Sequence, residues 1–216
     1  MPGMCLNPSL GRLGSPAHVC YLRHVRAPGT GVAPRKSCMK PASFYHYCPK
    51  CGVRQAAPPA AQVFNCSACG FRLFFNAASA VAVFITRPDG QLLLIERAKD
   101  PGRGKLAPPG GFIDIGETAE DAVQRETREE VGLELLDLRF VCSHPNAYLY
   151  ADVTYPVLDI FFSARVSATV EARALDDVAA VRWMDPRQIT PVDLAFPSMQ
   201  YAFLKWREGR VVPVGG

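Results

Sequence analysis

The chain has no acidic residue before Asp89. Its first 88 residues carry ten lysines or arginines, and the stretch from Asp89 onward carries 14 basic against 20 acidic residues. A basic front ahead of an acidic body points to two units with different jobs. No apolar run approaches the roughly 18 residues that span a bilayer, which excludes a membrane helix. The charged start and unbroken apolar stretch of a secretory signal are also missing. Cysteine is too dilute for a disulfide scaffold, with eight in 216 residues. Four of the eight form two close pairs instead, as expected of a reducing, cytoplasmic compartment in which thiolates bind metal. What the chain has in quantity is apolar side chain, at 49% of residues. That is enough for one ordinary domain and a small extra module.

Residues 1–42 are rich in Pro, Gly, Arg and Ser and show neither helical nor strand periodicity. They are expected to be a disordered extension, because they lack the apolar surface to offset ordering entropy. An Arg-rich, acid-free composition equally describes an organellar transit peptide, and Met39 offers an alternative start. Residues 43–77 form a cysteine module, and residues 78–212 the main domain. There, SAVAVFIT (79–86) and QLLLIE (91–96) read as a hairpin of buried strands joined by Arg87-Pro88-Asp89-Gly90. A Pro/Gly-rich loop follows from Asp100 to Gly116. A helix is predicted from Thr118 to Val131, with Thr118 and Asp121 in capping-box positions and Gly132 as the stop. LRFVCS, PVLDIFFSARVS and AAVRWM read as strands, and PSMQYAFLKWRE as a final helix. Interleaved strands and helices around one core give an α/β layered domain.

Cys48-Pro-Lys-Cys51-Gly and Cys66-Ser-Ala-Cys69-Gly are separated by 14 residues. Each pair can aim two sulfurs at one ion from a tight knuckle, and the Gly behind it relieves the turn. Two knuckles close a four-thiolate zinc site without an open position, which makes it structural. The competing reading is a pair of redox motifs, which would need a strand-to-helix setting.

Carboxylates dominate the predicted helix. With Glu126 at the origin of a helical wheel, Glu130 falls at about 40° and Glu129 at about −60°. Ala119, Ala122 and Val123 share that side, whereas Asp121, Gln124 and Arg128 lie opposite. Glutamates placed against a core would cost several kcal/mol and repel one another. A divalent cation with a preference for oxygen, Mg²⁺ or Mn²⁺, removes both problems.

The segment GFIDIGETAEDAVQRETREEVGL (111–133) resembles the Nudix signature. Gly111, Glu117, Arg125, Glu126, Glu129, Glu130, Gly132 and Leu133 are in register, and Thr127 stands where an aliphatic residue is typical. The resemblance implies a Nudix-type α/β/α sandwich with a mixed sheet, here preceded by a small four-cysteine zinc ribbon. It implies metal-dependent hydrolysis of the diphosphate linkage in a nucleoside-diphosphate derivative. Glu126 and Glu130 would hold the catalytic metal, and Glu129 would be a further ligand or the base that deprotonates water. The Gly111 carbonyl would be a backbone ligand, Glu117 would serve a second metal, and Arg125 would hold a carboxylate in place.

A zinc ribbon ahead of such a domain is similar to the NADH pyrophosphatase group. That group has Ser-Gln-Pro-Trp-Pro-Phe-Pro where this chain has Ser143-His144-Pro145-Asn146-Ala147-Tyr148. A dinucleotide or ADP-ribose-type substrate is the expectation. Tyr148 and Tyr150 are candidates to stack on a base, or else packed strand-edge aromatics. Arg97, Lys99, Arg103 and Lys105 are candidate phosphate contacts or solvated charges, and His144 is a further candidate. A second reading is a nucleotide-sensing regulatory protein whose ribbon contacts nucleic acid. A homodimer is compatible with either.

Overall fold

Hydrophobic pattern and caps place the elements in this computed structural model, which describes residues 41–57 and 62–209. The expectation for residues 1–42 lies outside the described residues, except that Pro41–Phe44 form a 3-10 turn. The cysteine segment folds around a short antiparallel hairpin, β1 (Val63–Asn65) and β2 (Arg72–Phe74). Its small core is Cys48, Phe64 and Cys66, flanked by Tyr45, Phe71, Leu73 and Phe75.

The main sheet has six strands: β3 (Ala78–Thr86), β4 (Leu92–Arg97), β5 (Leu106–Ala107), β6 (Leu136–Tyr150), β7 (Val153–Arg165) and β8 (Val178–Met184). Their order is β5-β4-β3-β7-β6, with β8 also paired to β4. β3 and β7 run parallel and the remaining pairs antiparallel, so the sheet is mixed. The β3–β4 turn closes with the Gly90 amide donating to Arg87 O at 2.9 Å, and Gly90 takes a φ of 83° that favours glycine. Helix α1 (Ala119–Val131) lies by β3 and β8, and α2 (Pro197–Glu208) by β6 and β7. Phe84, Phe161, Phe203 and Trp206 pack into one aromatic group, with Phe84 and Trp206 centroids 5.3 Å apart. Each such buried ring contributes roughly 1.5–3 kcal/mol. Among the described residues, no helix is long and apolar enough to cross a membrane.

The structure differs from the sequence reading in two places. β6 continues well past Ser143, through Pro145 to Tyr150. It is an edge strand, where a proline without an N–H is tolerated. The loop from Asp100 to Gly116 also contains β5, too short for periodicity to reveal.

Candidate active site and metal centre

The cysteine module is built from two copies of one local arrangement. Cys48 N donates to Val53 O at 2.9 Å, and Cys66 N donates to Phe71 O at 2.8 Å. Gly52 and Gly70 adopt φ of 73° and 69° behind the two pairs, turning each chain back past its sulfurs. The four sulfurs lie within 4.8 Å of one another, with Cys48–Cys69 and Cys51–Cys66 each at 3.7 Å. Sulfurs about 2.3 Å from one tetrahedral ion would lie about 3.8 Å apart, so the cluster matches a tetrathiolate site. Crowding also splits the thiols. Cys66 is brought down to about 6, chiefly by the Cys69 amide. Cys51 is favoured as thiolate by Val53, but Cys69, desolvation, Cys48 and Cys66 together push it up to about 12.

The second site begins at the N-terminus of α1. Thr118 caps it by accepting from Asp121 N at 3.1 Å, and its hydroxyl donates to the Asp121 carboxylate at 2.7 Å. The Asp side chain thus meets the Thr hydroxyl, where a longer Glu would reach the backbone amide of the cap residue. Gly132 ends the helix in the left-handed region at φ 69°. Ala122, Val123, Thr127 and Val131 are the buried face. Thr127 is fully buried, and its hydroxyl donates to Val123 O at 2.7 Å, so the polar atom is satisfied where an aliphatic residue is typical.

Arg125 organises the carboxylates. Its Nε and Nη2 grip the two Glu117 oxygens at 2.9 Å each, and Nη1 donates to Glu126 at 2.8 Å and Glu129 at 3.2 Å. Nη2 also donates to Phe112 O at 3.1 Å, which ties the preceding loop to the helix. The Arg125 guanidinium and the Asp114 amide hold Glu117 below the usual carboxylate range. Burial raises Glu126 despite the opposing pull of Arg125. Burial also pushes Glu130 up to about 8, although Gly110 N donates to it at 2.9 Å. Glu129 is more open, with a side chain 52% exposed.

A glycine makes room for Glu126. A Cβ at Gly111 would lie 2.6 Å from Glu126 Oε2 and 2.5 Å from its Cδ, so the carboxylate rests against bare backbone. Gly111 O accepts from Val81 N at 2.8 Å, which leaves its second lone pair for a cation. Desolvated carboxylates without enough donors, beside a carbonyl oxygen, are a hard-oxygen set suited to a divalent cation.

Glu126, Glu129, Glu130, Gly110 and Gly111 line a cavity of about 500 Å³, a volume typical of small-molecule sites. Arg97, Lys99, Tyr148 and Tyr150 line it too. Arg97 donates to Pro101 O at 2.9 Å and lies over the Phe196 ring, and Lys99 pairs with Asp177. Tyr148 packs against Phe112 at 5.7 Å and Phe196 at 5.8 Å, whereas Tyr150 is exposed. Glu117, Arg125, His144, Arg103 and Lys105 are not part of the cavity lining. His144 lies against Tyr201 at 4.6 Å, and Lys105 donates to Val192 O at 3.4 Å. Sequence reasoning missed Asn146, Asp159 and Phe196 as cavity residues. The available signal was Asp159, a lone charge inside an apolar strand.

Comparison with known proteins agrees with this geometry. The chain is 33% identical over 141 residues to an ADP-ribose pyrophosphatase of Methanocaldococcus jannaschii, a match covering 64% of this chain and 80% of that protein. It is 32% identical over 102 residues to the NAD-capped RNA hydrolase NudC of Pseudomonas aeruginosa, covering 47% of this chain but only 36% of NudC. The crystal structure of a MutT NUDIX hydrolase from Burkholderia pseudomallei superposes with a TM-score of 0.51 at 26% identity, over 60% of this chain and 98% of that one. The family model of the NUDIX domain matches residues 77–206. With the carboxylate helix, the mixed sheet and that match in agreement, the chain belongs to the NUDIX family and is a metal-dependent pyrophosphohydrolase of it.

Proposed function

We propose that the protein hydrolyses the diphosphate linkage of ADP-ribose or an NADH-like dinucleotide and releases a mononucleotide. The observation that carries this reading is the single cavity shared by Glu126, Glu129 and Glu130 and by aromatic and cationic side chains. The first group suits the reacting phosphates, and the second suits a base and a charged linker. The 80% coverage of a protein named ADP-ribose pyrophosphatase supports the same choice.

Glu126, Glu130 and the Gly111 carbonyl would hold Mg²⁺ or Mn²⁺, with Glu117 and Glu129 available to a second ion. Such a cation neutralises diphosphate charge and activates water. Glu129, the most open of the three cavity carboxylates, takes the proton of the attacking water. Arg125 is a positioning residue, since its donors are all spent on Glu117, Glu126, Glu129 and Phe112 O. Water adds to one phosphorus, the bridging P–O bond breaks, and the two phosphates leave on separate products. In domain terms, residues 43–77 are a zinc ribbon with a structural Zn²⁺, and residues 78–212 the hydrolase.

The test is a panel of ADP-ribose, NADH and nucleotide sugars with each metal supplied. Release of AMP from ADP-ribose or NADH supports the proposal. An inert protein across the panel removes it.

A further inference from the structure

One buried charge in the cavity has no part in the hydrolysis. Asp159 sits in β7, between β3 and β6, paired with Ala80 on one side and His144 on the other. It is 7% exposed, and alternation along the strand puts it on the same face as Val157 and Phe161, all three lining the cavity. Isolated carboxylates are rarely retained in such a place unless they are paired or used. Ser198, fully buried in the first turn of α2, donates to Asp159 Oδ2 at 2.5 Å. Asn146, in β6, lines the same cavity wall, and its amide favours the charged form of that carboxylate. Burial raises Asp159, while Ser198, Asn146 and His144 pull against it.

Asn146 is oriented as well. Its Oδ1 accepts from Ala147 N at 2.8 Å, so the amide nitrogen is the end that faces Asp159. That nitrogen has two hydrogens, so it can turn one toward Asp159 and still offer the other to a ligand. The carboxylate has about four lone-pair sites, of which Ser198 takes one. The cavity wall thus offers an acceptor and a donor side by side. Two residues along β6, on the same face, Tyr148 adds a ring. Asn146 also stands where the NADH pyrophosphatase motif has Trp, so a polar pair replaces a bulky ring here.

We propose that Asn146 and Asp159, held by Ser198, form the base-reading end of the cavity and select a ring with an amino group beside a ring nitrogen, as in adenine. The amino group donates to Asp159, and the ring nitrogen accepts from the Asn146 amide. A six-oxo purine sets a carbonyl oxygen against the carboxylate and loses that bond. A site built to accept from an N–H discriminates strongly against the analogue without it. The inference rests on the proposed nucleotide substrate and names its base.

Equilibrium binding of AMP and of IMP to the full, metal-loaded protein tests this by calorimetry. AMP is expected to bind about tenfold tighter or more, a difference of about 1.4 kcal/mol. Asp159→Asn is expected to bring the ratio near one or invert it, because the new amide donates to the six-oxo group. Asn146→Ala is expected to narrow it, and as a half-buried edge-strand change it decides the matter if Asp159→Asn does not fold. Equal affinity for AMP and IMP in the wild type overturns the inference, as does binding of neither. So does a ratio unmoved in both variants, which is what a purely structural Asp159–Ser198 tie would give. Binding needs no turnover, so a protein that binds AMP selectively but hydrolyses nothing would remove the proposed reaction and leave the base reading intact.

Discussion

Replacing Gly111 by alanine adds one methyl group beside the catalytic helix. The residue is outside the left-handed region, so the backbone accepts an L side chain without strain. The obstacle is Glu126, whose Oε2 and Cδ would lie 2.6 and 2.5 Å from the new carbon. Ordinary contact begins near 3.4 Å, so the carboxylate must retreat by close to 1 Å. Metal ligands tolerate about 0.2 Å, and a displacement of about 1 Å costs roughly 100-fold in rate. Gly111→Ala should therefore lower kcat/KM for ADP-ribose about 100-fold, or about 2.7 kcal/mol of barrier. The melting temperature should move by only a few degrees. Gly110→Ala is the contrasting variant, since its Cβ would strike the Val81 carbonyl and lie 2.6 Å from Ala82 Cα, at a φ of 149°; it should lose the fold. A folded Gly111→Ala protein within about threefold of wild-type activity would refute the placement of Glu126 against bare backbone.

Three further outcomes follow from the same geometry. Arg125→Lys keeps the charge but loses the two-pronged grip on Glu117, so steady-state kinetics should show a loss of about ten- to 100-fold. A loss below about threefold would contradict the positioning role. Asp159 has a folded pKa above its ordinary value of 3.8, so its contribution to stability is full below that value and is lost as pH rises through the raised one. Asp159→Asn should flatten the melting temperature across that window, and an unchanged pH profile would exclude a burial-raised carboxyl. For the ribbon, elemental analysis should find close to one zinc per chain, and Cys51→Ser or chelation should abolish amide protection around Cys48 and Cys66 by hydrogen exchange. Protection that survives zinc removal would show that the hairpin does not depend on the ion.

The parts of the molecule legible in the sequence are those with local physical signals. Helix α1 is bounded by its caps, Thr118 and Gly132, and α2 opens on Pro197 and stops before Gly209. The cysteine spacing encodes its own knuckles, and the carboxylate register shows in the helix period. The continuation of β6 was hidden by Pro145, because a proline reads as a break unless the strand is known to lie at an edge. The far wall of the cavity was illegible: Asn146, Asp159 and Phe196 come together only through strand order and the docking of α2. Asp159 lies in a run otherwise rich in apolar residues, where periodicity cannot tell a core face from a cavity face.

The account stands most directly on the buried carboxylate of Glu130. Release of AMP from ADP-ribose or NADH with Mg²⁺ or Mn²⁺ should be readily measured in the wild type. Glu130→Gln should abolish it, while circular dichroism and melting temperature show a folded protein. A folded Glu130→Gln protein that turns over as fast as the wild type would contradict the assignment of this helix as the metal-dependent centre.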